Sequence, residues 1–290
     1  MIFDIVYSKI ATNFIIMKSI ISNLVILLFS TATIAQAGHV MQGVGAVNMS
    51  MGGASTAQPL DISGALYWNP ATISNFNDNI LKLDVGLFFS SPELSSSLPA
   101  GMLGPGTPGV SGITKDDRGI SIMPNIAYLW SKKDSKHTFG ASAFGISGFG
   151  VTFPEENNNP FSPDFNPNEN SNPINYPQEA MGFGHIESDY MLLQLGLSYS
   201  YELTNKLSIG VQPNVNYAAL ELMPNPTASP TMARYPSTDK ASSFGFGAQL
   251  GLFYDSGYGL KLDASYKTTK KFSKFKFDNT YLDGSSVNIE

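Results

Sequence analysis

The sequence has no cysteine and few charged residues. The absence of cysteine among its 290 residues excludes disulfides, iron–sulfur clusters, thiol nucleophiles and cysteine-ligated zinc. Charged residues make up 14% of the chain, against roughly 25% in ordinary soluble domains. The net charge of -6 argues against nucleic acid as a partner, because phosphate binding requires clustered lysine and arginine.

Groups that could carry catalysis or bind metal are also scarce. Paired carboxylates at Asp116-Asp117 and Glu155-Glu156 lack the spacing of a calcium loop. A G-x-S-x-G nucleophile motif is missing. No pair among the histidines has metal-ligand spacing; they are His39, His137 and His185. We therefore expect no enzyme, no cofactor and no metal site.

Long apolar runs are confined to the N-terminus. Residues 17–37 contain a lysine, an apolar core and an A-x-A site at Ala35–Ala37, which is typical of a secretory signal peptide cleaved after Ala37. Met17 reads as the start, so residues 1–16 are expected to be an upstream extension. Beyond residue 37 no stretch approaches the roughly 18 apolar residues of a membrane helix. The chain is therefore predicted to be exported.

What the sequence does contain is strand alternation. In residues 190–217, apolar residues occur at every second position with small or polar residues between them, and a turn falls at Thr204-Asn205. Since side chains alternate faces along a strand, this predicts a hairpin with one apolar and one polar face. A strand crosses a bilayer in about 9–11 tilted residues. The pattern recurs and predicts seven strands, at 81–89, 120–130, 139–151, 190–203, 207–217, 244–254 and 258–266.

The connections between these strands alternate strictly between short and long. The short ones are 131–136, 204–206 and 255–257, and the long ones are 91–118, 153–187 and 223–242. Bacterial outer-membrane barrels have short periplasmic turns and long extracellular loops, whereas a soluble sandwich has no reason for this rhythm. We predict an all-β, antiparallel transmembrane barrel in the cell outer membrane, formed by residues 79–290, with the apolar strand faces on lipid.

The segment before the first strand, residues 38–78, is different in character. Residues 38–75 are rich in glycine, alanine and serine, carry little charge and show no strand alternation. A segment this small and apolar is not a typical solvated linker. We expect it to be buried inside the barrel as a hatch, or plug.

Four stretches resemble one family. Parts of the segment 38–78 resemble the N-terminal hatch of the FadL/TodX family of outer-membrane transporters for long-chain fatty acids and hydrocarbons; these are Gly43, Gly45, Met51–Ala54, Ala65 and Trp68–Ala71. Three more matches follow in order at 145–154, 201–217 and 264–268. The resemblance implies a barrel of about fourteen strands and passive uptake of long-chain fatty acids or other hydrophobic compounds. A general porin or a structural or adhesive outer-membrane protein is the alternative.

The resemblance also implies site residues. The hatch motif is Asn69, Pro70 and Ala71, which would fix the exit of the hatch into the first strand, although Asn-Pro is also a common turn pair. The family releases its ligand sideways at a kinked third strand. The candidates for that kink are Gly145, Gly148 and Gly150, whose alternative role is to relieve crowding inside the barrel.

Two further segments have open interpretations. Phe161 and Phe165 lie in a Pro- and Asn-rich loop and are candidates for a ligand-access cap, although such loops are typically flexible and solvated. A basic run is expected either to meet anionic lipopolysaccharide or to line a wet lumen; it comprises Lys267, Lys270, Lys271, Lys274 and Lys276. The expected partners are a hydrophobic ligand and outer-membrane lipid of a Gram-negative bacterium, with the protein as a monomer.

The number of strands predicts an incomplete barrel. Seven is odd, whereas bacterial single-chain barrels have even numbers of strands. The sequence ends at Glu290 without a strand that carries a terminal aromatic residue. We expect the chain to be the N-terminal part of a larger barrel.

Overall fold

A computed structural model describes residues 40–54 and 56–290. The predicted extension 1–16 and signal peptide 17–37 lie outside the described residues. The described helices are α1 (Ala46–Ser50), α2 (Ile62–Trp68) and three 3-10 turns at Pro70–Asn75, Pro173–Asn175 and Gln178–Ala180. The strands are β1 Ile80–Phe89, β2 Glu93–Leu98, β3 Val110–Lys115, β4 Ile120–Trp130, β5 His137–Phe153, β6 Ile186–Thr204, β7 Leu207–Met223, β8 Ser237–Thr238, β9 Ala241–Asp255, β10 Lys261–Lys267, β11 Lys271–Phe272, β12 Phe277–Thr280 and β13 Ser286–Ile289.

The main sheet confirms the predicted all-β antiparallel architecture. The seven predicted strands correspond to β1, β4, β5, β6, β7, β9 and β10, which lie side by side in that order, and β11 pairs with β9. Every pair in this sheet is antiparallel. β6 and β7 extend beyond their predicted ends, to Ile186 and Met223. The sheet is not closed within the described residues, since its path ends at β1 and β10.

The two faces of this sheet are inverted relative to a soluble protein. On β4, Ile122 is 68% exposed, whereas the next residue, Met123, is 5% exposed. Polar side chains of β6, β7 and β9 are buried, among them Gln194, Ser200, Gln212, Asn216 and Gln249. Their apolar neighbours are exposed, among them Leu195, Leu197, Ile209, Phe246 and Leu250. An apolar face turned outward and a polar face turned inward is the pattern of a transmembrane barrel.

The segment before β1 packs on the inward face. Ile62, Leu66 and Ile73 are buried in one cluster with Leu129 and Phe144 of the sheet. α2 begins after Asp61, whose carboxylate accepts a hydrogen bond from the Gly64 amide at 2.8 Å and so caps the helix. The helix ends at Asn69, because the residue before a proline is disfavoured in helical geometry.

Within the described residues, none of the helices has the length and apolar character needed to span a membrane.

The long connections contain structure that the sequence pattern did not predict. The connection 91–118 holds the hairpin β2–β3, and loop 153–187 folds onto it. The buried Asn172 amide donates to the Leu94 carbonyl and to the Thr114 hydroxyl, both at 2.8 Å. These contacts correct the interpretation of this loop as a flexible, solvated segment. A second small sheet joins β8, β12 and β13, so residues 277–289 also form strands that were not predicted.

Candidate functional site

The ladder between β4 and β5 is interrupted. Pairing runs from Trp130–Phe139 to Asn125–Phe144 and stops there. Beyond that point, among the described strands, β4 continues only with β1 and β5 only with β6. We call the gap between residues 120–124 and 145–151 the window.

Three glycines that the sequence singled out lie along the window, and each faces a close neighbour. A Cβ on Gly145 would lie 3.4 Å from Met123 Cβ, and one on Gly148 would lie 3.3 Å from Met123 Cε. A Cβ on Gly150 would overlap the Ser188 carbonyl and crowd the Arg118 guanidinium. None of the three has a positive φ, so space rather than backbone conformation favours glycine here. The Met123 side chain fills the window.

The predicted irregularity of the third long strand appears as a bulge. The register of β5 against β6 shifts between Gly145 and Ser147, which leaves Ile146 as the extra residue. A bulge bends the strand and re-aims a side chain. The Ile146 side chain is buried in the main cluster, and its carbonyl accepts a hydrogen bond from the Met41 amide of the hatch at 2.8 Å.

Polar contacts close the end of the window that lies next to Thr152. The Thr152 amide donates to Asp116 Oδ1 at 2.6 Å, and the Asp117 amide donates to the Thr152 carbonyl at 2.8 Å. Next to these contacts, the Arg118 guanidinium donates to Ser121 on β4 and to Asp189 on β6. Lys240 binds the other oxygen of Asp189 at 2.6 Å, and this hydrogen bond raises the pKa of Lys240.

The hatch motif is anchored on the opposite wall. Asn69 is fully buried, and its Nδ2 donates to the Leu252 carbonyl at 2.9 Å and to Asp263 Oδ2 at 3.1 Å. Its Oδ1 accepts from the Ala71 amide at 2.9 Å. A Cβ on Gly251 would overlap Asn69 Oδ1. The side chain of Asn69 thus binds β9 and β10 and also caps the 3-10 turn that leads into β1.

Other residues of this end strengthen the anchor. Gln249 donates to the Trp68 carbonyl, and Ser200 donates to the Ala71 carbonyl at 3.1 Å. Pro70 and Ala71 lie so close to Gly210 that a Cβ there would overlap the Ala71 amide. The 3-10 turn thus rests directly on the β7 backbone.

The other end of the hatch lies beside β1 and β4. Asp84 of β1 accepts from the Ser63 hydroxyl at 3.1 Å and from the Ala46 amide at 3.4 Å. A cavity of about 290 Å³ lies here, lined by hatch and sheet residues that include Met41, Met49 and Met123. Met123 also lies against Gly145 and Gly148, so this side chain borders both the cavity and the gap between β4 and β5.

The basic run begins on the inward side. Lys267 Nζ lies 3.9 Å from the Tyr67 ring centroid and 4.6 Å from that of Trp68, which are both hatch residues. Lys270 donates to Gln194 Oε1 at 2.7 Å. For these two lysines the structure favours a lumen lining over contact with lipopolysaccharide.

The two phenylalanines of loop 153–187 are in different environments. Phe161 is 52% exposed. Phe165 packs against a small cluster of Val110, Tyr176 and Ala180. Burial in this cluster raises the pKa of Tyr176. The structure therefore assigns Phe165 to the packing of the loop on the β2–β3 hairpin and leaves Phe161 at the surface.

A larger apolar groove, of about 740 Å³, lies on the exposed face of the sheet. Its lining includes Ile126, Leu195, Leu197 and Phe246. These side chains belong to the outward apolar band, so the groove fits lipid acyl chains rather than a ligand in the lumen. Within residues 40–54 and 56–290, no cluster of three or more histidine and acidic side chains could hold a metal ion.

Sequence reasoning missed Met123, Arg118 and Asn125. Pro124 carried a usable signal, because a proline inside a strand points to an edge or to a bulge. Here Pro124 belongs to the part of β4 that β5 does not pair. No pattern in the sequence near Asn69 indicates its partners, since Leu252 and Asp263 are distant in the sequence.

Comparison with protein-family models and with curated proteins finds no match. Solved structures do match. The toluene transporter TodX of Pseudomonas putida is 19% identical, with a TM-score of 0.54 over 86% of this chain and 62% of TodX. A FadL homologue of Pseudomonas aeruginosa is 15% identical, with a TM-score of 0.56 over 86% of this chain and 56% of the homologue.

A third solved structure, the monoaromatic hydrocarbon channel CymD, is 14% identical, with a TM-score of 0.50, and the match covers 86% of this chain and 59% of CymD. The chain thus spans between 56% and 62% of the length of these three proteins. The inverted sheet, the packed hatch and these matches agree, and the chain has the fold of the FadL/TodX-type outer-membrane β-barrel channels.

Proposed function

We propose that this chain forms part of a channel in the outer membrane that takes up hydrophobic compounds passively, with long-chain fatty acids among the candidates. One observation carries the proposal: a sheet with its apolar face turned outward loses its β4–β5 pairing beside a cavity of about 290 Å³. An interrupted ladder in a lipid-facing wall provides a route from the lumen into the bilayer. The proteins with this fold include a toluene transporter and a monoaromatic hydrocarbon channel.

The driving force in this proposal is partitioning. Removal of each CH2 group from water contributes about 0.8 kcal/mol, so an apolar compound enters the protein without coupled energy. It then leaves sideways into lipid when Met123 swings away from Gly145 and Gly148. The unbranched thioether side chain of methionine has three rotatable bonds, which suits it to this movement.

The remaining candidate residues take supporting roles. Asn69, Pro70 and Ala71 hold the hatch, and Gly150 makes room for Arg118 at the end of the window next to Thr152. Phe161 and Phe165 belong to the loop that a ligand meets from outside. We propose no catalytic role, and we propose that the protein acts as a monomer surrounded by lipid and lipopolysaccharide.

A disulfide across the window tests this proposal. The Cβ positions of residues 123 and 145 lie 3.4 Å apart, close to the roughly 3.5–4.5 Å that a disulfide requires. Because the chain has no cysteine, Met123→Cys with Gly145→Cys introduces the only pair. The matched control is Ala127→Cys with Ser142→Cys, at directly paired positions of the same strands below the window.

Uptake of a labelled long-chain fatty acid and of toluene would be measured in outer-membrane vesicles that contain the full-length gene product. We expect oxidation of the 123–145 pair to abolish saturable uptake and reduction to restore it, with no effect in the control. Unchanged uptake with the disulfide formed would remove the lateral route. Free passage of sugars and ions, without saturable uptake of either hydrophobic compound, would indicate a general porin instead.

A further inference from the structure

The cavity between the hatch, β1 and β4 has the size of a small ligand. Its volume is about 290 Å³, whereas a dry apolar cavity of about 150 Å³ already accepts benzene. Its lining includes Met41 and Met49 from the hatch, Met123 from β4, and the exposed Val85 and Leu87 from β1. A substituted single ring fits this space, and methionine side chains adjust to its outline.

One polar atom in this wall lacks a partner. Asn125 lines the cavity and is only 6% exposed. Its Nδ2 donates to the Met123 carbonyl at 3.5 Å, whereas Oδ1 has no hydrogen-bond partner among the described residues. A buried acceptor without a donor is unfavourable, and a ligand that donates a hydrogen bond would remove that cost.

The charge beside the cavity selects against anions. Asp84 lines the cavity and lies 3.4 Å from Lys82, which also pairs with Asp61. One lysine thus faces two aspartates, which gives a formal net charge of -1 for the three side chains. A carboxylate in this cavity would meet like charge, whereas a neutral hydroxyl would meet acceptors.

We propose that this cavity is a binding subsite for a small, neutral hydrophobic compound that carries one hydrogen-bond donor, such as a phenol, and that Asn125 Oδ1 accepts that hydrogen bond. This inference rests on the proposed uptake function and specifies the ligand class. It ranks a phenol above the corresponding hydrocarbon, and both above the corresponding carboxylate.

Binding of phenol, toluene and benzoate to the purified full-length protein in lipid nanodiscs tests the ranking. We expect phenol to bind roughly tenfold more tightly than toluene, as one net hydrogen bond allows, and benzoate to bind most weakly. Asn125→Leu should bring phenol and toluene to equal affinity while toluene binding persists. Asn214→Leu, the same change at a buried asparagine of β7 outside the cavity lining, should leave the preference unchanged.

The position of the ligand gives a second test that needs no variant. The anomalous signal of bromine in crystals soaked with 4-bromophenol should lie between Met123 and Asn125, and a signal only elsewhere would overturn the proposal. Toluene uptake that is blocked by the window disulfide, with no preference for phenol, would refute this inference and leave the proposed function standing. Failure of phenol and toluene to bind, with saturable uptake of a long-chain fatty acid, would also refute this inference alone, whereas absence of saturable uptake of all three compounds would overturn both proposals.

Discussion

The two ends of the hatch are held very differently. At the Asn69 end, side chains of four strands approach the hatch directly: Ser200 and Ser208 on β6 and β7, and Gln249 and Asp263 on β9 and β10. At the Met41 end, the chain beside a cavity is held by one backbone bond to Ile146, by the longer contacts with Asp84 and by the ion pair of Asp61 with Lys82. The Asn69 end is tightly packed and acts as the anchor, whereas the cavity beside the Met41 end leaves space for that segment to shift.

This difference suggests how the hatch could work. A hatch fixed at both ends could not clear a path, and one that is free at both ends would leave an open pore. If the hatch is anchored at Asn69 and loosely packed near Met41, the segment next to the window can shift while the rest of the hatch stays in place. The cavity lies next to the proposed exit for the ligand, because Met123 borders both the cavity and the window.

The largest effect should come from Gly251→Ala at the anchored end. The new Cβ would overlap Asn69 Oδ1 and lie 2.9 Å from the Ala71 amide nitrogen, and the fully buried Asn69 has nowhere to retreat. We expect a loss of about 3 kcal/mol of folding stability, measured as loss of the heat-modifiable folded band on gels. Gly86→Ala, whose Cβ would make only ordinary contacts at 3.6 Å, should cost about 0.5 kcal/mol or less.

A near-neutral Gly251→Ala would show that Asn69 can repack and that the anchor is not rigid. An equally large loss for Gly86→Ala would show that the side near the cavity is just as tightly packed. Either result would remove the contrast between the two ends.

A smaller effect is expected when the polar contacts of each end are weakened. Asn69→Ala removes the amide that donates to the Leu252 carbonyl and to Asp263 and should cost about 2 kcal/mol. Asp84→Asn removes one of the two carboxylates beside Lys82, which keeps Asp61 as its partner, and should cost about 1 kcal/mol. Hydrogen exchange locates each change: Asn69→Ala should speed exchange in residues 69–75, and Asp84→Asn in residues 41–46 and near Ser63. If both substitutions speeded exchange of the same amides, the two ends of the hatch would not be independent of each other.

The sequence predicted the sheet well because its signal is local and repetitive. Alternation of Leu193, Leu195 and Leu197 with Gln194 and Gly196 predicts both a strand and its outward face without knowledge of the rest of the chain. The inward burial of Gln194 follows from the same pattern once lipid is taken as the outer solvent.

The site was less predictable because it depends on distant contacts. The sequence draws attention to Asn69 and Pro70, but nothing near them points to Leu252 or Asp263 as partners of Asn69. The window results from missing pairs between β4 and β5, and only Pro124 and the glycines of β5 hint at it. The β2–β3 hairpin was missed because its serine-rich segment 94–98 shows only weak alternation.

A further small effect on stability tests the end of the window that Arg118 bridges. Arg118 lies across it between Ser121 and Asp189, and both ionic side chains of the pair are about one fifth exposed, at 19% and 23%. Arg118→Gln keeps much of the stem and removes the charge, and it should cost about 1 kcal/mol because Lys240 still neutralises Asp189 at 2.6 Å. We expect higher uptake of toluene in vesicles and unchanged exchange of the hatch amides at both ends. Lys240→Gln is the matched control, since Lys240 binds the same carboxylate without contacting Gly150 or Ser121. If both variants raised uptake equally, the positive charge around Asp189, rather than the bridge that Arg118 forms, would control passage through the window.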